Sequence, residues 1–360
     1  MPGAASPRAY AAKRQRERVR RALAHPDFIN ATGYLNTASI GLPPAPALKA
    51  MQTAVGEWGR GDATAPGYDV YVASSRAVWA AMHGVDPAHV AIGPQVSYFA
   101  GLVAHSLPPG AHVLSYDADF ASLVYPFLAR GDLNVRLVPL QEVAAAVRPD
   151  TSVVAVSAVQ SSDGRVADLD GIADAAASVG ARTVIDGTQA AGWLPVDGGR
   201  FDFLIVGTYK WLLSPRGTAF MSARPELLET LTPLAAGWYS ADRPWDRVYG
   251  APLRLASDAR RLDMSPAWLS WVGTLAALEY LAERDLESVR AHDLGLANTV
   301  REAVGIEASD SAIVSVERAG APEALAAAGL RAGGLGSAAR ICFHLYNDDD
   351  DVDAVVRALS

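Results

Sequence analysis

The chain has 360 residues, of which 50% are hydrophobic and 19% charged, and its formal net charge is −8. These values are typical of a globular protein long enough for a large and a smaller domain. The acidic balance and the lack of a basic stripe argue against a nucleic-acid partner. No apolar stretch approaches the ~20 residues that a membrane span needs.

The cysteine count and the N-terminal region indicate the compartment. Cys342 is the single cysteine, so we expect no disulfide within the chain and no cysteine metal site. The basic run 14–21 lacks the apolar core of a secretion signal and is interpreted as an N-terminal helix or a frayed arm. We therefore expect a cytoplasmic protein.

Short apolar strands alternate with alanine-rich helical patterns from residue 89 to about residue 225. In chain order, strands are predicted at 89–92, 111–115, 133–140, 152–157, 182–186, 203–206 and 218–221. Helices are predicted at 97–105, 121–130, 141–147 and 169–179. Strands that are apolar at every residue belong in the middle of a mostly parallel sheet with both faces covered. The pattern therefore predicts an α/β fold, a doubly wound domain around a mostly parallel seven-stranded sheet.

The composition changes after Leu231, where a smaller C-terminal α+β domain is predicted. A long loop is predicted at 237–266, a helix at 268–282, strands at 311–316 and 340–345, and a helix at 351–359. The predicted division is an N-terminal arm with an active-site loop at 1–45, a large domain at 46–235 and the small domain at 236–360. The acidic run 348–351 is interpreted as the first turn of the last helix, where the helix dipole favours acids, rather than as a metal site.

Two predicted strands end in charged residues, at the edge where open α/β sheets bind ligands. Asp186 ends one apolar strand, and Lys210 follows another. A buried carboxylate is costly without a cation nearby, and a desolvated lysine has a lowered pKa that suits Schiff-base formation. Pyridoxal 5'-phosphate (PLP) needs an acid at its pyridine nitrogen and a lysine at its aldehyde. From these residues alone, a PLP site and a simple Asp186–Lys210 ion pair are equally open.

Four segments resemble the class V aminotransferase family of PLP enzymes, which includes cysteine desulfurases, kynureninase and isopenicillin N epimerase-like enzymes. The segments are 186–189 (Asp-Gly-Thr-Gln), 209–217 (beginning Tyr-Lys-Trp-Leu), the loop 34–44, and the C-terminal strand and helix 340–353. Their order and spacing extend over most of the chain. The resemblance implies the fold type I architecture, a PLP cofactor and an amino-acid substrate.

The resemblance assigns four side chains to the cofactor ring. Lys210 would bind the aldehyde and then move the proton between the substrate's Cα and the cofactor. Asp186 would keep the pyridine nitrogen protonated, and Gln189 would reach the ring hydroxyl, as in desulfurases. Phe120 lies where kynureninase stacks a phenylalanine on the ring; an ordinary core aromatic is the alternative.

The cofactor's phosphate is expected at the turn before the first predicted helix, where backbone N–H groups are free. Val96 could contribute only through its backbone. Ser97 would offer its hydroxyl, or is a plain helix N-cap. Tyr209 matches the kynureninase tyrosine that binds the phosphate.

Two further residues imply a homodimer with shared active sites. Trp238 resembles a kynureninase tryptophan that reaches the phosphate from the neighbouring subunit, and Ser265 lies at the family's partner-chain contact. The alternative for Trp238 is an anchor in a subunit interface, which also implies a dimer.

The substrate's carboxylate would be bound by Arg340, because a guanidinium can donate two parallel hydrogen bonds to it. Gln160 matches a desulfurase asparagine near the same carboxylate, and Asn36 lies in the N-terminal active-site loop. A surface-strand arginine is the alternative for Arg340. His344 is given no role, and a satisfied interior position is expected for it.

The reaction is expected to begin at the Cα of an amino acid. Residues 330–337 contain no cysteine where desulfurases carry the sulfur-accepting one, which argues against persulfide-forming desulfuration. Gln189 in place of a histidine argues against kynureninase. An aminotransferase-type activity is the first expectation, followed by a β-eliminating (C–S) lyase, an epimerase and a non-catalytic PLP-binding protein. Tryptophans near the site segments, such as Trp193 and Trp211, predict an aromatic-walled pocket.

Overall fold

The structure, a computed structural model, describes residues 21–246 and 248–360. Residues 14–20 of the basic run lie outside them, so the N-terminal helix or arm stays a prediction. The described strands are β1 (Tyr34–Leu35), β2 (Val90–Gly93), β3 (His112–Tyr116), β4 (Asn134–Val138), β5 (Thr151–Ser157), β6 (Arg182–Asp186), β7 (Phe203–Gly207), β8 (Ala219–Ala223), β9 (Ile313–Glu317), β10 (Arg331–Leu335) and β11 (Ala338–Cys342). The described helices are α1 (Ala45–Arg60), α2 (Asp69–Met82), α3 (Val96–His105), α4 (Ala121–Leu128), α5 (Leu169–Val179), α6 (Trp268–Ala282), α7 (Leu286–Val304), α8 (Ala321–Ala327) and α9 (Asp349–Leu359).

The large sheet has seven strands in the order β2-β8-β7-β6-β5-β3-β4. Its pairings are parallel except those of β8 with β2 and β7. The fold is therefore α/β, and the mostly parallel seven-stranded sheet predicted from the sequence is confirmed. Every residue of β2, β7 and β8 is buried, which explains their nearly continuous apolar sequences.

Two cores lie on the two faces of this sheet, because successive side chains of a strand point to opposite sides. Val154 and Val156 of β5 belong to one core, and Val153 and Ala155 belong to the other. Helices α3 and α4 contribute to the second core. Helices α2, α5 and α6 contribute to the first, and α1 packs against α6.

A second, smaller sheet has the order β1-β10-β11-β9, with α7, α8 and α9 sharing its core. Strand β1 brings the N-terminal segment into this sheet. The loop after β1 then reaches the large sheet, where the Gly41 N–H donates to the Tyr209 carbonyl at 2.9 Å. The three-part division of the chain stays a prediction. None of the helices in the described ranges is long and apolar enough to cross a membrane.

One predicted helix is wrong. The 3-10 helix Leu140–Glu142 covers the first two residues of the predicted helix 141–147, and residues 143–146 form turns. Pro139 and Pro149 bracket this segment and leave too few residues for a stable helix.

The C-terminal segment differs from its prediction in one strand and agrees in its helix. The predicted strand 340–345 ends at Cys342, because the chain then turns and the His344 N–H donates to Asn347 Oδ1 at 2.9 Å. Helix α9 begins directly after Asp348, whose carboxylate accepts from two N–H groups of the first turn. The interpretation of the acidic run as a helix start is confirmed.

Candidate active site

A pocket opens at the carboxyl edge of the large sheet, where the ends of β2, β3, β5, β6 and β7 converge. Its empty space is about 610 Å³ and is continuous with solvent. β3 and β5 are neighbours in the sheet although β4 separates them in the chain, so the pocket lies at a topological switch point, where open α/β sheets bind ligands. Six of the residues predicted from the sequence line it: Val96, Phe120, Asp186, Gln189, Tyr209 and Lys210.

Asp186 and Lys210 are buried side chains, 4% and 5% exposed, that interact without a direct ion pair. Asp186 Oδ1 accepts from the Thr188 N–H at 2.9 Å. Burial raises the pKa of the Asp186 carboxyl, and the Thr188 hydrogen bonds and Lys210 oppose that shift. Burial also lowers the pKa of Lys210 from 10.5 to about 8, while the Asp186 charge raises it. Within the described part of the chain, Lys210 Nζ has no hydrogen-bond partner.

Two glycines let other loops pack closely around Lys210. A Cβ on Gly41 would lie 2.0 Å from the Lys210 carbonyl oxygen. A Cβ on Gly192, which has φ +114°, would lie 2.3 Å from the Trp211 carbonyl oxygen. Backbone from two loops therefore encloses the Lys210–Trp211 segment and fixes the backbone position from which the lysine side chain extends.

Aromatic rings flank the Lys210 amine. Its Nζ is 5.2 Å from the centroid of the Phe120 ring and 5.6 Å from that of Tyr209. Phe120 is 43% exposed and lines the pocket, so the core-aromatic alternative is wrong. Trp193 and Trp211 are fully buried in the core, so the aromatic lining comes from Phe120 and Tyr209 rather than from these tryptophans.

Gln189 is held at both ends of its side-chain amide. Nε2 donates to the Ala38 carbonyl at 2.9 Å, and Oε1 accepts from Trp211 Nε1 at 2.7 Å. His344 extends this network, with Nε2 3.1 Å from the Trp211 carbonyl and Nδ1 2.9 Å from Asp293 Oδ2. His344 is fully buried, as expected, and these contacts link α7 to the segment that carries Lys210.

The first turn of α3 presents backbone N–H groups at the pocket, and those of Val96 and Ser97 have no acceptor in the described part of the chain. The helix begins at Val96, and the N–H groups of a first turn have no acceptor within their helix. Gln95 is the N-cap, so the N-cap alternative for Ser97 is wrong, and Ser97 is the second residue of the helix. Val96 lines the pocket, whereas Ser97 lies beside it without lining it.

Arg340 is buried in β11, which excludes the surface-strand alternative. It donates to the Ser161 carbonyl and to Ser39 Oγ. Its Nε and the Oδ1 of Asn36 are both buried without a hydrogen-bond partner. A Cβ on Gly333 would lie 2.7 Å from Asn36 Oδ1 and 3.3 Å from Arg340 Nε. The two unsatisfied atoms therefore lie beside the same glycine.

Gln160 does not line the pocket. Its Nε2 donates to the Ser157 carbonyl at 3.2 Å and lies 3.5 Å from Asp119 Oδ2. Asp119 also accepts from the Ser157 N–H at 2.8 Å. Gln160 and Asp119 thus brace the end of β5, next to Phe120.

Trp238 and Ser265 also lie outside the pocket of the single chain. The Trp238 ring packs against Tyr239 and Trp245, with centroid distances of 5.1 and 4.8 Å. Ser265 is exposed beside the turn at Gly93 in its own chain. The contribution of both residues to a partner's site stays a prediction.

Sequence reasoning gave no role to several polar residues of the lining, namely Gln95, Ser122, Ser157, Ser161 and Thr188. Ser157 ends β5, and Thr188 follows β6 by two residues, so the rule that ligands bind at strand ends could have found both. Ser161 and Arg216 reach the pocket through loops whose course follows from the fold. No local pattern in the sequence indicates them.

A larger cavity, of about 990 Å³, lies between α2, α6 and α7. Its lining is mainly apolar, with side chains such as Val78, Leu194 and Leu281. It lacks the acid and the free amine that the strand-end pocket holds, so we place the chemistry in the smaller pocket.

Comparison with known proteins gives consistent matches. The family model described as Aminotransferase class-V matches residues 124–315. The uncharacterized aminotransferase YcbU of Bacillus subtilis is 31% identical over 230 residues, covering 61% of this chain and 60% of that protein. The kynureninase of Deinococcus radiodurans is 32% identical over 288 residues, covering 74% of this chain and 69% of that protein. The chain thus spans about 60 to 70% of the length of these two relatives.

Solved structures show the same architecture. The cysteine desulfurase CsdA of Escherichia coli has a TM-score of 0.79 at 22% identity, covering 93% of this chain and 96% of that one. A variant of C-DES with glycine linked to its PLP cofactor has a TM-score of 0.82 at 21% identity, covering 93% and 98%. At these identities the likeness shows the fold, which is fold type I.

The residues of the pocket fit PLP. Lys210 offers a buried amine without a partner and with a lowered pKa, which suits an aldehyde. Asp186 offers a buried carboxylate for the ring nitrogen, and the first turn of α3 offers N–H donors for a phosphate. The exposed ring of Phe120 offers a flat apolar surface for the pyridine ring.

Proposed function

Because the chain belongs to the class-V aminotransferase family, we propose that it is an aminotransferase-type enzyme acting at the Cα of an amino acid. Membership makes it a PLP-dependent enzyme, a transferase or a lyase. The observation that carries the narrower proposal is a buried lysine amine with a pKa of about 8, within electrostatic reach of the buried Arg340.

The proposed chemistry divides among three side chains. Bound PLP supplies an electron sink for the electron pair left when the Cα–H bond breaks. Lys210 accepts that proton, and a pKa of about 8 lets the same amine return it near neutral pH. Asp186 holds a proton on the ring nitrogen. Arg340 binds the substrate carboxylate through donors that include its free Nε, which orients the Cα–H bond towards Lys210.

Transamination needs one group that removes a proton from one carbon and delivers it to another. In the described lining, Lys210 is the group whose pKa is brought to about 8. This favours proton transfer by a single amine and supports an aminotransferase-type activity over an epimerase, which needs a second proton donor on the other face of the substrate. A non-catalytic PLP-binding protein would have no use for a buried carboxylate clamp.

A β-eliminating C–S lyase is the second candidate. Cysteine desulfurases are among the relatives, and the fold neighbour C-DES is described as a cystine C–S lyase. The segment 330–337 carries glycines and no cysteine, so sulfur transfer to the protein is not part of this candidate.

The test is to incubate the purified protein with a panel of amino acids, with and without a 2-oxo acid as amino acceptor. The proposal expects a new 2-oxo acid that forms only with the acceptor. Pyruvate and ammonia without an acceptor would establish the lyase instead, and inverted stereochemistry would establish an epimerase. Lys210→Ala should abolish formation of the 2-oxo acid. Lys49→Ala, which replaces an exposed lysine of α1, should leave it unchanged.

We also propose that the enzyme is a cytoplasmic homodimer. Exposed apolar side chains support an interface: Trp58 is 65% exposed, Tyr249 94% and Leu253 73%. The chain has a single cysteine, Cys342, which is buried, and a cysteine-poor composition is typical of proteins from reducing compartments.

A further inference from the structure

Arg216 lines the same pocket as Lys210 and Asp186 and has no task in the reaction described above. It lies on the loop between β7 and β8. Its guanidinium carbon is 5.0 Å from the centroid of the Tyr209 ring. In the described ranges of the chain, its guanidinium has no ion pair and no hydrogen bond. Arg216 therefore presents an available positive charge at the pocket.

The order of the sheet places Arg216 on one side of Lys210. β8 and β2 lie on one side of β7, and β6 and β5 lie on the other. The free N–H groups of α3 follow β2, whereas Asp186 ends β6. The loop from β7 to β8 thus carries Arg216 towards the first turn of α3 and away from Asp186. Val96, Tyr209 and Arg216 all line the pocket, and the strand order places them towards its β2 end.

The loop that carries Arg216 is fixed at several points. Ser270 Oγ donates to the Arg216 carbonyl at 3.2 Å, and the Ser214 N–H donates to the Thr208 carbonyl at 3.2 Å. The Tyr209 ring lies against the guanidinium, a contact that favours a flat cation. Backbone and ring contacts together hold the charge at this end of the pocket.

The charges of the lining leave this end free for an anion. The charged side chains of the described lining are Asp186, Lys210 and Arg216. With PLP bound, Asp186 would be matched by the protonated ring nitrogen, and Lys210 would face the aldehyde. A phosphate dianion then has the α3 N–H groups and Arg216 as its positive partners, and an arginine can donate two parallel hydrogen bonds to phosphate.

We propose that Arg216 binds the phosphate of PLP, together with the first turn of α3 and the Tyr209 hydroxyl. The inference rests on the cofactor site proposed above and adds to it the cation that balances the phosphate. It makes Arg216 a cofactor-binding residue and leaves the substrate carboxylate to Arg340.

The test compares PLP with pyridoxal, which lacks the phosphate. Cofactor is removed from the wild type, Arg216→Ala, Arg216→Lys and Arg148→Ala, and each protein is titrated with both compounds by absorbance. Arg148 is an exposed arginine beside a cavity that holds the amino end of β3, away from the active-site edge. Arg148→Ala therefore makes the same charge change at a distance.

Arg216→Ala should raise the Kd for PLP about tenfold or more and change the Kd for pyridoxal less than about twofold. Arg216→Lys should recover part of the loss, and Arg148→Ala should bind both compounds as the wild type does. An equal loss for PLP and pyridoxal would overturn the assignment. An unchanged Kd for PLP together with a raised KM for acidic amino acids would also overturn it, because Arg216 would then bind the substrate rather than the phosphate. If the wild type bound neither compound, the cofactor site itself would be wrong.

Discussion

At the residue scale, the reactivity of Lys210 depends on its surroundings. Burial lowers the pKa of its amine from 10.5 to about 8, and Asp186 raises it. The rings of Phe120 and Tyr209 lie 5.2 and 5.6 Å from Lys210 Nζ and offer it no strong hydrogen bond. The amine is therefore partly neutral near neutral pH, which is the form that attacks an aldehyde.

The pH dependence of cofactor attachment follows from this shift. In protein freed of PLP, the rate of attachment should rise with pH up to about 8 and level off above it, because the neutral amine reacts. Asp186→Asn should move the midpoint to lower pH, since it removes the charge that raises the pKa of Lys210. Stopped-flow absorbance measures the rate. A rate that kept rising to the ordinary lysine pKa of 10.5 would contradict the account.

Arg340 gives the second prediction at this scale. Arg340→Ala should lower kcat/KM for amino acids by about tenfold or more, because a charge-assisted pair with the carboxylate is lost. Arg340→Lys should recover little, since an ammonium cannot donate two parallel hydrogen bonds. Steady-state kinetics measure both, with PLP content expected to stay unchanged. Amines without a carboxylate are the control, and the wild type and the variant should turn them over equally poorly. Normal kinetics of Arg340→Ala with amino acids would show that Arg340 does not bind the substrate carboxylate.

The residues that the sequence predicts best are those next to buried strands. Asp186 and Lys210 could be predicted because a charge beside an apolar strand is costly and needs a function or a partner. Arg216 and Asp119 could not be given roles in this way. Their positions depend on how loops fold back onto the sheet edge, and no local periodicity encodes that course.

At the scale of elements, the Lys210–Trp211 segment is held between the loops of Gly41 and Gly192. The C-terminal part of the chain adds His344, which contacts the Trp211 carbonyl, and Asp293, which contacts His344. Two features require glycine at position 192. Its φ is +114°, and a Cβ added to it would lie 2.3 Å from the Trp211 carbonyl oxygen.

Gly192→Ala should therefore lower the free energy of unfolding and release PLP. Gly110→Ala is a matched control, since Gly110 has φ +77° with no atom within 4 Å of an added Cβ. The difference between the two variants reports the contact with Trp211 together with the greater backbone strain of alanine at φ +114° than at φ +77°, and we expect about 2 kcal/mol or more. Chemical denaturation and PLP content are the measurements. Equal stability of the two variants would show that the segment has room to move.

The sequence predicts elements well where apolar runs are long and poorly where they are short or bracketed by proline. Strands β2, β7 and β8 of the large sheet are buried at every residue, so their composition alone indicates them. β1 has two residues and β10 is rich in glycine, so β1 depends on pairing with β10, and β10 depends on pairing with β1 and β11. The helix predicted at 141–147 does not form, because tertiary contacts do not offset its short length.

At the scale of the whole molecule, a single chain leaves apolar side chains exposed and leaves Trp238 and Ser265 outside its own pocket. A homodimer with shared sites would bring both to a partner. The sequence predicts the α/β fold of the chain, but the contribution of a second chain rests on the resemblance to the family.

Mixing two defective variants tests the shared site. Lys210→Ala and Trp238→Ala should each be nearly inactive alone. After unfolding and refolding together they should regain about a quarter of wild-type activity, because half of the dimers are mixed and each mixed dimer holds one intact site. Lys210→Ala mixed with Arg340→Ala is the control and should regain nothing, since both residues belong to the same chain's site. No recovery in the first mixture would contradict the shared site.

The most direct measurement of the central claim is the position of the covalently bound cofactor. The chain has three lysines, Lys13, Lys49 and Lys210, so borohydride reduction of the isolated protein followed by peptide mapping gives an unambiguous answer. We predict the pyridoxyl group on the peptide that contains Lys210 and none on the other two. A pyridoxyl group on Lys13 or Lys49, or an unlabelled Lys210 in protein that contains PLP, would contradict it.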